Sequence, residues 1–469
     1  METRFRTVQT AVAMLVSGGM VWVPVANAAT DPGVRPGAPG AGNPVQGLSA
    51  DQTTLFFSGQ KTFAEVEQIG DGLGPRFNLD SCLGCHAQPV HGGSAPAVNP
   101  QVQAATAFGA RNTVPSFITA TGPVREARFK FGSNGVRDGG VHSLFVTSGR
   151  IDTSGSAANC NITQEDFNGQ FARGNVSLRI PTPTYGDGLI ENLPDATLIA
   201  NLSANASRKS NLGISGHFNH SGNDGTISRY GWKAQNISVL VFAGEAYNVE
   251  MGITNENFPQ EREQNANCQQ SGTPNDVSGK TGITTADVTL SDIEQFAVYM
   301  RFLAPPVAST TVPGGAASIR RGAQDFDNIG CGLCHTAQLS TGNTTVKALA
   351  NQQVALYSDL ALHRMGPALA DNILQGAAAG DEFRTAPLWG VGQRIFFLHD
   401  GRTTDLVQAI QAHASGGTGS RDGNGPGGRN QQQGSTASFG PSEANEVVGN
   451  FNDLNDASQQ DLLNFLRSL

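Results

Sequence analysis

Two short stretches set reactive side chains in a fixed order: Cys82-Leu83-Gly84-Cys85-His86 and Cys331-Gly332-Leu333-Cys334-His335. Two thiols three positions apart, followed at once by an imidazole, is the order that attaches a c-type haem. The thiols add to the two vinyl groups of one porphyrin. The next residue then lies under the iron, where an imidazole nitrogen becomes the proximal ligand. A chain of this composition would contain about 0.0015 such motifs by chance, yet it has two. A redox dithiol or a zinc site is the rival chemistry. Zinc would need four ligands drawn from both motifs, and the dithiol leaves both histidines without a task. The spacing therefore predicts two covalent haems, attached at Cys82, Cys85, Cys331 and Cys334, with His86 and His335 as proximal ligands.

The elements that must position these motifs follow a repeated plan. Ala50 to Glu67 reads as a helix with Phe56, Phe57, Phe63 and Val66 at its apolar positions, running toward Cys82. A second start falls near Ala316, after Pro305-Pro306 and the Pro313-Gly314-Gly315 turn. Ile319, Ala323 and Phe326 then lead to Cys331. This divides a first half, 48–305, from a second, 306–469. The expected fold is mainly α, with two cytochrome c-like haem domains. The first carries a loop-rich insertion over 140–285, with short helices and a few short strands. Residues 29–47, rich in Pro, Gly and Ala, read as a flexible linker, and the Gly/Gln/Ser-rich stretch 414–443 as a surface loop. Leu454 to Leu469 reads as a closing amphipathic helix, with Leu462, Leu463, Leu466 and Leu469 on one face.

The first 28 residues read as a secretory signal. Arg4 and Arg6 precede an apolar run from Ala11 to Val25, and Ala26-Asn27-Ala28 supplies the small residues a signal peptidase requires. A membrane anchor is the rival, but the run is shorter than the ~20 residues of a span. The mature protein is expected in the periplasm, with no membrane span. A formal net charge of −9 and no Lys/Arg run argue against nucleic acid. In an oxidising compartment the remaining cysteines, Cys160 and Cys268, are expected to form a disulfide, with a catalytic pair as the alternative.

An electron-carrying haem needs a second strong axial ligand, whereas a catalytic haem needs an open position. Beyond the proximal pair stand His91, His142, His217, His220, His363, His399 and His413, with six methionines. Thr403 or Thr404 can cap a short helix in which Leu406, Ala409, Ile410 and His413 share a face. His413 is thereby on the buried side, as an iron ligand or as a hydrogen-bonded core residue.

Further segments carry a resemblance. They are Asp71-Gly72-Leu73-Gly74-Pro75-Arg76-Phe77-Asn78 before Ser81-Cys82, Gly213-Ile214-Ser215-Gly216, Arg229-Tyr230-Gly231-Trp232-Lys233 and Met251-Gly252-Ile253-Thr254. To these are added Ala386-Pro387-Leu388-Trp389-Gly390 and, most specific, Phe397-Leu398-His399-Asp400-Gly401-Arg402. With them the chain resembles the dihaem oxidoreductase family, also labelled peroxidase or thiol oxidoreductase. That family is related to bacterial dihaem cytochrome c peroxidases, the dihaem enzyme that matures methylamine dehydrogenase, and dihaem rubber oxygenases. In the peroxidases a Met fourteen residues after the motif's His ligates the C-terminal haem. Here His413 stands fourteen residues after His399. The resemblance therefore implies a low-spin His/His C-terminal haem, of lower potential than a Met/His one.

It also implies that the N-terminal haem reacts. Peroxide cleavage needs a group that moves a proton between the two oxygens. The loop Pro183-Thr184-Tyr185-Gly186-Asp187-Gly188-Leu189-Ile190-Glu191 resembles the peroxidase loop that supplies it. Glu191 becomes the candidate acid/base and Tyr185 its neighbour, while no matching Gln is visible. His91 stands too near His86 to reach the other haem face; His142 could close the site as a sixth ligand. The implied function is a peroxidase-like oxidoreductase. A small redox protein or other electron donor would feed the C-terminal haem, and a small oxidant such as peroxide would react at the N-terminal one. The alternatives are a non-enzymatic dihaem carrier and a thiol–disulfide oxidoreductase. Calcium sits between the haem domains of related enzymes, but no ligand cluster in this sequence demands it.

Overall fold

The computed structural model describes residues 28–269, 272–275, 277–416 and 439–469. All but the last residue of the expected signal, and most of the 414–443 stretch, lie outside the described residues. Helices are the main regular elements, and among the described residues no strand exceeds four residues. None of the described helices is long and apolar enough to cross a membrane.

Two helix pairs organise the molecule. In the first, α1 (Ala50–Phe63) packs on α4 (Asp292–Phe302). Both begin on a capping box, Ser49 with Gln52 and Ser291 with Glu294, which satisfies amide groups the first turn would leave open. The first helix ends at Phe63, short of the expected Glu67. Val66 lies beyond it and is exposed, as is Phe57, while Phe56 and Phe63 are buried. In the second pair, α5 (Gly315–Ile329) packs on α8 (Asp456–Ser468), which Asn455 caps.

The two crossings repeat each other in detail. A Cβ on Gly59 would stand 2.3 Å from the Gln295 carbonyl oxygen, and one on Gly322 1.9 Å from that of Asp461. Glycine lets each backbone touch its partner. Four residues on, Phe63 meets Tyr299 and Phe326 meets Phe465, at 5.0 and 5.3 Å between ring centres. The Ser58 hydroxyl donates to Gln295 at 3.0 Å, and the Ser318 hydroxyl to Asp461.

Between the pairs, 140–285 consists of loops, short helices and short strands, with one longer helix, α3 (Val239–Met251). A three-stranded antiparallel sheet joins β1 (Glu126–Phe129) at its centre to β2 (Val141–His142) and β3 (Val176–Arg179). Cys160 and Cys268 are joined as a buried disulfide, tying positions 108 apart. Further along, β4 (Leu362–Arg364) pairs antiparallel with β5 (Glu382–Arg384). The lead-in 29–47 has neither helix nor strand but does not hang free. Asp31 pairs with the buried Arg467 of α8, and the Arg35 amide donates to the Gly392 carbonyl.

Candidate functional site

The two motifs build the same local device. In the first, α2 (Cys82–Cys85) forms one helical turn, and Cys331–Leu333 forms a tighter one in the second. In each, the histidine amide closes the turn onto the first cysteine's carbonyl, at 3.0 Å for His86 and 2.9 Å for His335. The His86 Nδ1 lies 2.9 Å from the Gly93 carbonyl oxygen, and the His335 Nδ1 3.0 Å from that of Tyr357. A carbonyl only accepts, so Nδ1 carries the hydrogen and Nε2 is left with its lone pair, as an iron-ligating imidazole requires. Burial pushes both imidazoles down to about 4, so both are neutral. Phe63 packs against His86 and Phe326 against His335, which ties each ring to its helix crossing. This donor set suits a haem at each motif. It does not suit a redox dithiol: burial pushes the Cys331 thiol up to about 12 and raises Cys82 and Cys85 as well, opposite to the depressed thiols of exchange catalysts.

What faces each histidine differs. A cavity opens beside Cys85 and His86, with Phe242, Glu245, Ala246, Val249 and Glu250 of α3 on one wall. These positions form one stripe of the helix. Gln101, Glu126, Arg128, Arg179, Trp232 and Gln235 add to the lining, which includes no histidine besides His86 and no methionine. Glu126 and Glu250 are hydrogen-bonded to each other. Arg128 donates to Glu126 at 2.6 Å and Asn78 to Glu250 at 2.7 Å. Burial and the Glu126 charge push Glu250 up to about 8. Burial acts on Glu126 in the same sense, but Arg128 and Arg179 outweigh it and hold that carboxyl low. One carboxylic acid and one carboxylate thus sit side by side. The Gln235 Oε1 is buried without a hydrogen-bond partner among the described residues.

Around His335 the arrangement is different. Asp405, rather than Thr403 or Thr404, caps α6 (Leu406–Ala412) by accepting from the Gln408 amide. His413 follows as the helix's C-cap, beside the apolar cluster formed by Phe326, Leu333, Leu406 and Ala409. Its Nδ1 lies 2.7 Å from the Ala409 carbonyl oxygen, so its Nε2 is also left unprotonated. A charge on His413 would be felt at His335, which places the two imidazoles in one neighbourhood. His363 does not compete: its nitrogens lie 2.8 Å from Glu443 and 3.0 Å from Asp359.

Two candidate residues have other partners in the structure. Glu191 lies outside the cavity lining. Arg301 donates to both its oxygens, and it caps α3 through the Val239 amide at 3.0 Å. That ion pair ties Glu191 to α3 and α4, and its neighbour Tyr185 donates to the Val90 carbonyl. His142 is no sixth ligand: Glu165 and Asp138 occupy its two nitrogens, and its ring stacks on Phe129 at 3.7 Å. As for calcium, the described residues offer one grouping of metal-capable side chains, Cys334, Asp359 and His363. Its sulfur and nitrogen donors do not suit an ion that takes oxygen ligands.

The family model described as "di-haem oxidoreductase, putative peroxidase" matches residues 141–424, more than half of the chain. The protein belongs to this dihaem oxidoreductase family. The match takes in the second motif, His413 and α3, and begins after the first motif. No curated protein matches the sequence. Among solved structures, hydrazine synthase of Kuenenia stuttgartiensis is 16% identical with a TM-score of 0.20, covering 38% of this chain and 55% of its own. The chain thus spans about half the length of that relative. A MauG-like protein associated with microbial copper homeostasis is 16% identical with a TM-score of 0.28, covering 61% of this chain and 86% of its own.

Proposed function

We propose that this protein is an exported dihaem c-type oxidoreductase of peroxidase-like activity. Electrons pass from a donor protein to the haem at Cys331 and Cys334, and from there to the haem at Cys82 and Cys85, where a small oxidant such as peroxide is reduced. The observation that carries this reading is the contrast between the two neighbourhoods. The cavity beside His86 offers a paired carboxyl and no second strong ligand, while His335 has His413 beside it with a free nitrogen. A two-haem carrier would need a closing ligand on both sides.

Haem iron supplies the electrons and the position at which an oxidant binds. The chain's own residues supply the proton handling. Glu126 is poised to take a proton from one oxygen of a peroxide, and Glu250 to return one to the other, which departs as water. Asn78 and Arg128 hold the two carboxyls in place, and the Gln235 amide oxygen is available to orient the oxidant. Phe242, Ala246 and Val249 of α3 limit water at the same wall.

Spin-state spectra of the purified protein, recorded with and without peroxide, test the reading. The expected result is two covalent haems per chain, one high-spin and peroxide-responsive, one low-spin and inert. Two low-spin haems that ignore peroxide in both oxidised and half-reduced forms would identify a carrier instead. Haem that extracts into acidified organic solvent would remove the cytochrome reading altogether.

A further inference from the structure

The segment 384–394 carries two arginines whose charges have no counterpart among the described residues. Arg384 is 7% exposed and Arg394 9%. Among the described residues the Arg384 guanidinium makes one hydrogen bond, from Nη1 to the Arg229 carbonyl at 2.8 Å, and its buried Nε has no partner. The Arg394 side chain donates to no acceptor among the described residues, and neither arginine has a carboxylate within ion-pair distance there. Buried Arg35, which donates to the Val307 carbonyl, shares this condition, but other buried arginines do not. Buried Arg179, Arg229 and Arg467 pair with Asp371, Asp195 and Asp31. The acid whose charge reaches Arg384 is Asp187, which burial pushes up to about 8, so at neutral pH it largely holds its proton. Two guanidinium groups out of water without an anion are costly, and the cost is offset only if an anion sits between them.

The position of the segment says which anion. Although it follows the second motif in sequence, it lies against the first. The Arg384 amide donates to the carbonyl of Trp232, a residue lining the cavity beside His86. Gln88, two residues past His86, donates to the Gln393 carbonyl at 3.1 Å. Ile395 and Phe396, next to Arg394, pack in the apolar cluster that includes Cys85. Once its vinyl groups are bound to the cysteines, a haem's remaining ionised substituents are carboxylates, and a guanidinium fork matches a carboxylate with two parallel hydrogen bonds. We infer that Arg384 and Arg394 bind the carboxylates of the haem attached at Cys82 and Cys85, so that the second half of the chain completes the first half's cofactor site. The inference rests on the reading of that motif as a haem site.

The test uses the matured full-length protein and the variants Arg384→Gln, Arg394→Gln and Arg394→Lys. Covalent haem is counted first; a wild-type chain without two haems would overturn the motif reading rather than this one. In an EPR-monitored redox titration the high-spin haem of both Gln variants should move to a more negative potential, because a cation that favoured the reduced form is gone. The low-spin haem should stay in place. In all three variants the resonance Raman band that reports hydrogen bonding to the haem carboxylates should shift. Arg394→Lys, which keeps the charge, decides the matter through that band if the Gln variants fail to fold. An unmoved band with an unmoved high-spin potential, or a shift confined to the low-spin haem, would overturn the inference.

Discussion

At the scale of single residues, chemistry rests on what each carboxyl is already doing. Glu191, the acid in the expected loop, is engaged by Arg301 and the start of α3 at both of its oxygens, outside the cavity lining. Glu126 and Glu250 hold one proton between them beside the cavity, which is a usable state for acid–base work. Glu250→Gln should leave both haems bound and the His335 site low-spin, yet slow the reaction with peroxide by roughly 10²–10⁴, the range of positioned acid–base catalysis. Stopped-flow mixing of the half-reduced protein with peroxide reads this directly, and a variant reacting at the wild-type rate would move the proton handling elsewhere. His413→Gly should convert the C-terminal haem from low to high spin and leave the other haem's spectrum alone. An unchanged spin state would return His413 to the core. The two Cys-x-x-Cys-His motifs were legible because their residues are contiguous in sequence. The carboxyl pair was not, because its members stand 124 positions apart and meet only through folding. One signal was nevertheless present: Glu245 and Glu250 fall on the same helical stripe as Phe242 and Val249, an unusual place for acids unless something polar faces them.

At the scale of elements, the two helix crossings fix where His86 and His335 stand. Each crossing depends on a glycine that allows backbone contact, followed four residues later by the phenylalanine that packs on the histidine. Three of the four crossing helices could be read from apolar spacing, apart from the early end of α1, whereas α4 was not read. The crossings could not, because the matching Gly-x-x-x-Phe in Gly59–Phe63 and Gly322–Phe326 is too common a pattern to stand out before the partner helices are known. A Cβ at 322 would press on the Asp461 carbonyl and on the Phe465 Cβ at 2.8 Å, neither of which can swing away. Gly322→Ala should therefore destabilise the protein by about 1–3 kcal/mol, the usual cost of overpacking, and lower the thermal midpoint. Gly449 supplies the comparison. It lies within α7 (Asn445–Asn452) with open space where its Cβ would go. Gly449→Ala should leave the midpoint unchanged or raise it by the equivalent of about 0.5–1 kcal/mol, through the lower entropy of the unfolded chain. Equal effects at the two positions would mean that the crossing is not close-packed.

At the scale of the whole molecule, the two halves share apolar clusters, in which Leu189 and Tyr230 join Leu356 and Trp389, and are also tied by buried polar links. Arg179 and Lys233, from the first half, both pair with Asp371 of the second, at 2.7 and 3.0 Å. Glu443 performs the same service from the other direction. It accepts from the amide and hydroxyl of Ser215, 228 positions away, and lies 2.8 Å from the His363 Nδ1. None of this was legible in the sequence, where Gly213-Ile214-Ser215-Gly216 stood only as a segment of resemblance. Burial alone would raise the Glu443 carboxyl. The hydrogen bond and charge of His363, together with the Ser215 bonds, overcome it and bring the group down to about 2. An unfolded glutamate titrates near about 4.3. Between these values the unfolded chain binds the proton that the folded chain refuses, so stability rises with pH across that window. The link's contribution is therefore complete above about pH 4.3 and fades as pH falls toward about 2. Glu443→Gln keeps the shape and removes the titration. Its thermal midpoint should lie below wild type at pH 6 and converge on it as the pH is lowered through that window, in scans of the haem-loaded protein. A gap that stayed constant from pH 6 to pH 3 would show that Glu443 acts through its shape alone, and the tie between Ser215 and His363 would then owe nothing to charge.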